Sequence, residues 1–382
     1  MEIIAKLGRI VCIVAAAISS TPHSASHAQG VPLPGLSLVW SKNVGGLRSF
    51  SLSPHAHRLS LLTDEGKLAL WTAQDANPIW ATGNQTASNV LVSDGDGVVL
   101  TYNALALLAT TATLRKADSG AVIWSKTFNA AIWAATFSPD GTNLAIGAGD
   151  DSLYLFDLAS DEAQTTVSLT GTPLSIAFGP NNTSIFVGQW DESGIACLDL
   201  TGHTKWLDKG EMDRRYEIGS VGPRFVTYIG SSNRHGRSPT VYVVRGSTGQ
   251  ALWTYSLDDD SYNAAAATID TAGLTGISYT RPRQIGSHSV NEQRLTSIDR
   301  TGQMQWEKGG LFWAPKLICI TPDQSGLVVY DGKRKLYRLD SQGRTVATAV
   351  LSDELRKWSV SADNTSLVVY THDGQMSLLH IQ

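Results

Sequence analysis

Cysteine is nearly missing from this chain, with three residues in 382, at positions 12, 197 and 319. Cys197 (in ACLDL) and Cys319 (in LICIT) stand in strand-like runs of different repeat units, whereas a bridge needs Cα atoms within about 7 Å. A disulfide-stapled scaffold is therefore excluded, and two buried free thiols are expected. Charge of one sign is lacking as well. Thirty Lys and Arg against 34 Asp and Glu give a formal net charge of −4, so the molecule as a whole has no electrostatic attraction for nucleic acid. Methionine is scarce at 4 residues. No segment offers the roughly 20 consecutive apolar residues of a transmembrane helix. The G-x-S-x-G elbow, the P-loop, the dinucleotide fingerprint and H-E-x-x-H are all absent. The sequence thus assigns no catalytic residue, no metal set and no cofactor.

What is present points to strands and turns. Glycine is frequent at 35 residues and tryptophan at 11, with 42% hydrophobic and 17% charged residues, a composition that favours many short strands joined by tight turns. The first 28 residues read as a signal peptide: Lys6 and Arg9 precede the apolar run 10–18, and Ser26, His27 and Ala28 fit a small-residue cleavage site. Cys12 follows Val11 rather than a small residue and makes a poor lipid-attachment site. The expectation is an exported chain, periplasmic or extracellular, with one domain over residues 29–382.

A turn glycine followed four residues later by tryptophan recurs along the chain. It ends at Trp124 in DSGAVIW, Trp206 in DLTGHTKW, Trp253 in GSTGQALW and Trp306 in DRTGQMQW. Looser copies carry Trp80 in DANPIW and Trp40 in PGLSLVW, and LDSQGRTVA has Ala347 in the aromatic position. Successive marks lie about 40 to 53 residues apart, near the length of a propeller blade. The double interval between Trp124 and Trp206 places one unit ending near Thr165 without its tryptophan. Residues 131–169 divide into AIWAATF, NLAIGAG, SLYLFDL and a weaker TTVSL, each bounded by Gly, Pro, Asp or Asn. The same division suits 47–82, 87–127, 171–208, 214–257, 262–308 and 314–350. An eighth unit lacks its fourth strand, which LSLVW at 36–40 can supply, closing the ring and covering the sheet edges. The fold expected is an all-β propeller of about eight four-stranded blades, with seven as the alternative. Asp118, Asp199, Asp299 and Asp340 should fix turns, and the six tryptophans should wedge each blade against the next.

These G-x-x-x-W units resemble the tryptophan-docking repeats of the pyrroloquinoline-quinone (PQQ) dehydrogenase-like propellers, and SPDGTNLAIGAGDDSLYLFDL is similar to a WD40-type blade. The resemblance covers essentially the whole mature chain and concerns blade packing, so it speaks to fold rather than activity. It implies relatives of two kinds, quinone-dependent dehydrogenases and an exported non-enzymatic propeller that helps assemble outer-membrane proteins. Many of the enzymes carry a vicinal cysteine pair and a calcium-holding carboxylate cluster, and this chain has no Cys-Cys pair.

In such a meander, second-to-third-strand loops share a face with the links between blades. The fifth and sixth units have long loops there, SSNRHGRSP and TRPRQIGSHSVNE, carrying Arg234, His235, Arg237, Arg281, Arg283 and His288. Links add Arg214, Arg215, Tyr216, Tyr262, Phe312 and Trp313, with Arg48, Arg356, Lys357 and Trp358 further round. Arginine interleaved with aromatics suits a protein partner or an anionic, polar ligand, while solvated arginines paired with Glu211, Asp213, Glu217 and Asp258 to Asp260 are the plainer reading. His55 and His57 lie in a turn with no third ligand nearby. Asp94 with Asp96, and Asp258 to Asp260, lack an EF-hand pattern. Asn84, Asn182 and Asn364 fit the glycosylation pattern. The expected function is a monomeric, non-catalytic interaction scaffold; the alternative is a quinone-dependent or other propeller enzyme.

Overall fold

The computed structural model describes residues 35–94, 97–104, 110–160, 164–232, 238–258, 261–269, 274–285, 288–310 and 315–382; the expected signal peptide lies outside them. Thirty-two strands are found among these residues, and the only helical element is the 3-10 turn Asp191–Ser193. No helix among the described residues is long and apolar enough to cross a membrane.

The strands form eight antiparallel sheets of four. Blades 1 to 7 span residues 47–82, 89–128, 132–168, 173–208, 214–256, 262–310 and 316–350, and blade 8 spans 355–381 together with 36–43. First strands of successive blades pack on one another, so they are innermost. The expected ring closure is present: Leu36–Asn43 pairs antiparallel with Gln375–Ile381, from Leu36↔Ile381 to Asn43↔Gln375.

Both faces of each blade are covered by its neighbours, which explains the unbroken apolar runs in the second strands. Gly326–Tyr330 and Ser366–Thr371 are buried at every residue, whereas the outermost Pro78–Thr82 alternates half-buried and exposed positions. The core is accordingly divided. Eight hydrophobic clusters are found among the described residues, and each draws on two successive blades. Near the axis, serines of first strands tie blade to blade: Ser175 Oγ accepts Ile218 N–H at 3.0 Å, Ser220 Oγ accepts Thr268 N–H at 3.1 Å, and Ser359 Oγ accepts Leu52 N–H at 3.1 Å.

The Gly-x-x-x-Trp repeat works between blades rather than within one. Each tryptophan stands on an outermost strand and reaches the next blade's last turn. The indole N–H donates to a carbonyl there: Trp40 to Ala73 and Trp80 to Ala117 at 2.7 Å, Trp206 to Gly246 at 2.9 Å, Trp306 to Ser341 at 3.0 Å. The turn glycine of that next blade lies under the ring. A Cβ on Gly249 would stand 2.6 Å from Trp206, and one on Gly343 2.8 Å from Trp306. Trp124 stacks on Phe156 at 5.2 Å. Burial of such a ring stabilises a seam by about 2 to 3 kcal/mol. The two units without tryptophan find substitutes. Val167 packs on Gly202 at the seam of blades 3 and 4, and Arg338 covers Gly35 beside Ala347 at that of blades 7 and 8.

The aspartates act as expected. Oδ1 of Asp199 accepts Thr201 N–H, Thr201 Oγ1–H and His203 N–H at 2.9, 2.6 and 3.0 Å, and Asp299 does the same with Thr301 and Gln303. Asp340 accepts Gln342 and Arg344 N–H, and Asp118 accepts the Ser119 hydroxyl. Asn182 and Asn364 hold left-handed turn positions at φ 51° and 58°, a structural use of those asparagines. Cys197 and Cys319 are free and buried as expected, and burial pushes both thiols up, Cys319 to about 12.

Two glycines separate backbone strain from ring packing. Gly249 and Gly45 share φ of +70°, but nothing lies within 4 Å of a Cβ on Gly45. Gly45→Ala is expected to cost about 1 kcal/mol and Gly249→Ala about 3 kcal/mol in denaturant unfolding, because only the second also displaces an indole. Equal losses would refute the seam reading.

Candidate interaction face

Blade 6 departs from expectation. The segment TRPRQIGSHSVNE is a continuation of the sheet rather than a loop: Leu274–Ile285 and His288–Ile298 stay paired from Thr275↔Ile298 out to Ile285↔His288. The first strand ends its pairing at Thr280, so five further residues project, about 16 Å at 3.3 Å per residue. Pro282 falls where, among the described residues, the first strand no longer pairs along that edge of the ribbon, a position where proline is tolerated.

Side-chain alternation puts Arg281 with Arg283, and Glu292 with Arg294, each pair on one face of its strand. Arg281 lies directly opposite Glu292. The Glu292 carboxylate, 1% exposed, accepts Arg283 Nη1 at 2.7 Å and Arg294 Nη2 and Nε at 2.6 and 3.1 Å, with Arg281 Nη2 at 3.6 Å. The chain of contacts continues outward. Arg281 Nη1 donates to Asp258 at 2.5 Å, Arg294 Nη1 to Glu307 at 3.0 Å, and Tyr279 OH to Glu307 at 2.7 Å. Three arginines meet three carboxylates here, so the network is neutral. The Arg283 bond, with further help from Arg294, holds the Glu292 carboxyl down at about 2. Its cover consists of guanidinium groups on a projecting ribbon rather than deep apolar core, so desolvation does not win. Burial and the bond to Glu307 push the Tyr279 hydroxyl up.

The remaining predicted residues are used in different ways. Arg214 is buried, donating to Glu211 at 3.0 Å and to the carbonyls of Gly230 and Ser238 at 3.0 and 3.1 Å; it anchors the link and the neighbouring turn. Arg215 lies over the Trp190 ring at 6.0 Å. Arg48 donates to the carbonyls of Asp64, Gln85 and Ala87, and Lys357 to that of Arg48. Tyr262 and Trp358 are exposed. Arg234, His235, Arg237, Phe312 and Trp313 lie outside the described residues. The structure therefore brings together Arg281 and Arg283 but leaves Arg214 and Arg215 in the adjoining blade. Sequence reading missed Glu292 as the hub, and the one available signal was the two-residue spacing of Arg281/Arg283 and of Glu292/Arg294. It also missed a tyrosine cluster below Arg214. Tyr228 stacks on Tyr242 at 4.7 Å and donates to Asp208, and burial pushes both hydroxyls up, Tyr242 to about 12.

On the opposite face, His55 Nδ1 lies 2.8 Å from Asp94, with His57 at 3.6 Å, which joins the turns of blades 1 and 2. No group of three His, Cys, Asp or Glu that could hold a metal ion is found among the described residues.

Comparison with known proteins agrees with the propeller fold. The family described as outer membrane protein assembly factor BamB matches residues 109–276. BamB from Moraxella catarrhalis superposes with a TM-score of 0.61 at 15% identity, covering 91% of this chain and all of that one. The chain has the fold of the PQQ-like, WD40-like β-propellers. The computationally designed Ika8 protein also shares the fold of this PQQ-like propeller, with a TM-score of 0.59 at 14% identity over 92% of this chain and 98% of that one. Among curated proteins, WD repeat-containing protein 1 of Gallus gallus is 19% identical over 258 residues, and that of Xenopus tropicalis 22% over 259. The match covers 67% and 68% of this propeller but only 40% of each of those relatives.

The Glu292 carboxylate is ionised well below the ordinary range when folded, so its stabilisation is complete above about pH 4.5 and is lost as pH falls toward about 2. Glu292→Gln is expected to cost about 2 kcal/mol at pH 7, between an exposed and a buried ion pair, and to flatten the stability profile over that window. An unchanged profile by thermal unfolding at pH 2.5 to 5 would remove Glu292 as the hub.

Proposed function

We propose that this propeller is an exported, non-catalytic scaffold that engages a protein partner of the cell envelope through the face carrying the blade 6 hairpin. The observation that carries this reading is the hairpin itself. Its strands of 12 and 11 residues stand off a blade whose fourth strand is 7 residues long, held in one geometry by the Glu292 network. A pre-ordered ribbon with open edges loses little conformational entropy when a second surface meets it. The neutral network removes bulk attraction for anions there, which favours the protein-partner half of the expectation over the ligand half. The family match supplies the direction: its description is that of an assembly factor, and residues 109–276 run from blade 2 into the base of the hairpin. Residues 1–28 are the export signal in this reading, and the mature chain is a monomer before it meets its partner.

Photo-crosslinkers placed singly at Ser289 on the hairpin and at Gln342 on the opposite face test the surface. Both positions are exposed. Envelope proteins crosslinked from Ser289 alone, and lost when Arg283→Glu is added, would support the reading. Crosslinks from Gln342 alone, or none from either, would overturn it. Export is checked by intact mass: the protein recovered outside the cytoplasm should lack residues 1–28. A full-length mass in that fraction would refute the cleavage.

A further inference from the structure

We propose that Lys357, at the inner wall of the ring where blade 8 meets blade 1, is a reactive amine that condenses with small aldehydes to form an imine. Its position follows from a feature the innermost strands share. Among the described residues, the first strands of blades 1 and 3 to 8 each carry a register shift against the second strand. Pairing resumes at Ser49, Ala134, Ser175, Ser220, Ala265 and Cys319 in blades 1 and 3 to 7, a small side chain in every case, and at Lys357 in blade 8. Three of the serines close a seam by accepting an amide of the next blade: Ser49 from Val90 at 3.3 Å, Ser175 from Ile218 at 3.0 Å and Ser220 from Thr268 at 3.1 Å.

Lys357 reaches into the equivalent seam. Its Nζ donates to the Arg48 carbonyl of blade 1, and Ser359, two residues on and so on the same face of the strand, accepts Leu52 N–H. Blade 8 thus keeps a serine tie and places an amine beside it. The lysine side chain is half-buried, and burial disfavours the ammonium form relative to the amine. Arg356, at the register shift itself, adds a like charge, while the Asp64 carboxylate of blade 1 acts in the opposite sense. Burial first and Arg356 second hold the Lys357 ammonium below the ordinary lysine range, against the pull of Asp64. The other ionisable groups of the surrounding strands are fixed in place. Tyr370, opposite Lys357 in the pairing, donates its hydroxyl to Gly45 O at 2.7 Å. Arg356 lies over the Tyr370 ring at 5.9 Å, and the Arg48 guanidinium donates to the carbonyls of Asp64, Gln85 and Ala87.

The neutral amine is the nucleophile, and a lowered ammonium supplies more of it at neutral pH. The Nζ lone pair attacks the carbonyl carbon and a proton moves from nitrogen to oxygen, giving a carbinolamine. Loss of water then leaves the C=N bond, with no oxidant or reductant consumed. When protonated, the imine keeps one N–H, which the Arg48 carbonyl can accept in place of the amine it held before. The seam admits the lysine where the other blades admit only Ser, Ala or Cys, so a small aldehyde suits it better than a large one.

Limiting benzaldehyde with cyanoborohydride, which traps the imine, tests this on the mature protein. The adduct is located by peptide mass mapping, with Nα-acetyl-lysine amide in the same tube as the standard. At pH 7 Lys357 should be labelled ahead of Lys67 and Lys333, which are exposed, and its labelling should rise with pH through a midpoint below that of the free amide. Arg356→Gln should slow labelling of Lys357 at least about threefold, and Asp64→Asn should speed it by a similar factor; a lysine that is merely accessible responds to neither. Arg283→Glu, on the hairpin, should leave it unchanged, so failure here and failure of the partner reading are separable. Labelling of Lys357 no faster than that of Lys67, or rates indifferent to both the Arg356 and the Asp64 variants, would overturn the site.

Discussion

Everything in this molecule depends on an indole ring seated over the next blade's turn. A four-stranded blade of this length has two apolar faces and no core of its own, so it becomes stable only when both are covered. The tryptophan on the outermost strand aligns one blade with the next, and the glycine it covers must lack a side chain to admit it. Hydrophobic burial behind that contact is then divided among the seams. Where the ring is missing, Val167 or the Arg338 stem occupies the same place, which shows that the geometry of the seam persists when its usual residue does not.

Because packing is confined to the seams, the two rims of the ring are free to vary, and the chain has used them differently. One rim carries a ribbon whose charges cancel among themselves. Glu292 sits among three guanidinium groups, and the effect of that neutrality is stiffness rather than attraction. The other rim, at blades 5 and 6, presents Arg245 and Arg300 at exposed turn positions. Arginine count alone says little about either surface, because what matters to a ligand is charge left over after internal pairing.

The architecture was legible in the sequence because its determinant is local and repeated: a turn aspartate, a glycine and a tryptophan at fixed spacing, with strands short enough to delimit by turn residues. The eighth blade could be completed by pairing LSLVW with the last segment for the same reason. The site was legible only in part. Arg281 and Arg283 were visible, but whether they are solvated or paired depends on strand register, which puts Glu292 across from them. The segment holding Pro282 reads as a loop in sequence, and among the described residues the first strand's pairing stops at Thr280, where a paired proline becomes acceptable. Arg214 could not be recognised as buried, since the carbonyls it serves, Gly230 and Ser238, come from another strand and turn.

The pairing of residues 36–43 with 375–381 has a kinetic meaning beyond the edges it covers. It joins the most distant parts of the described chain, so its loop-closure entropy is the largest among the described strand pairs and its reward arrives only after the other blades are in place. Contacts within each hairpin can form early and locally, but the first and last seams cannot be completed until the ends meet. Folding of this ring should therefore end in one slow annealing step, and a circular permutant opened between two other blades would transfer that step to a new seam without altering the finished structure.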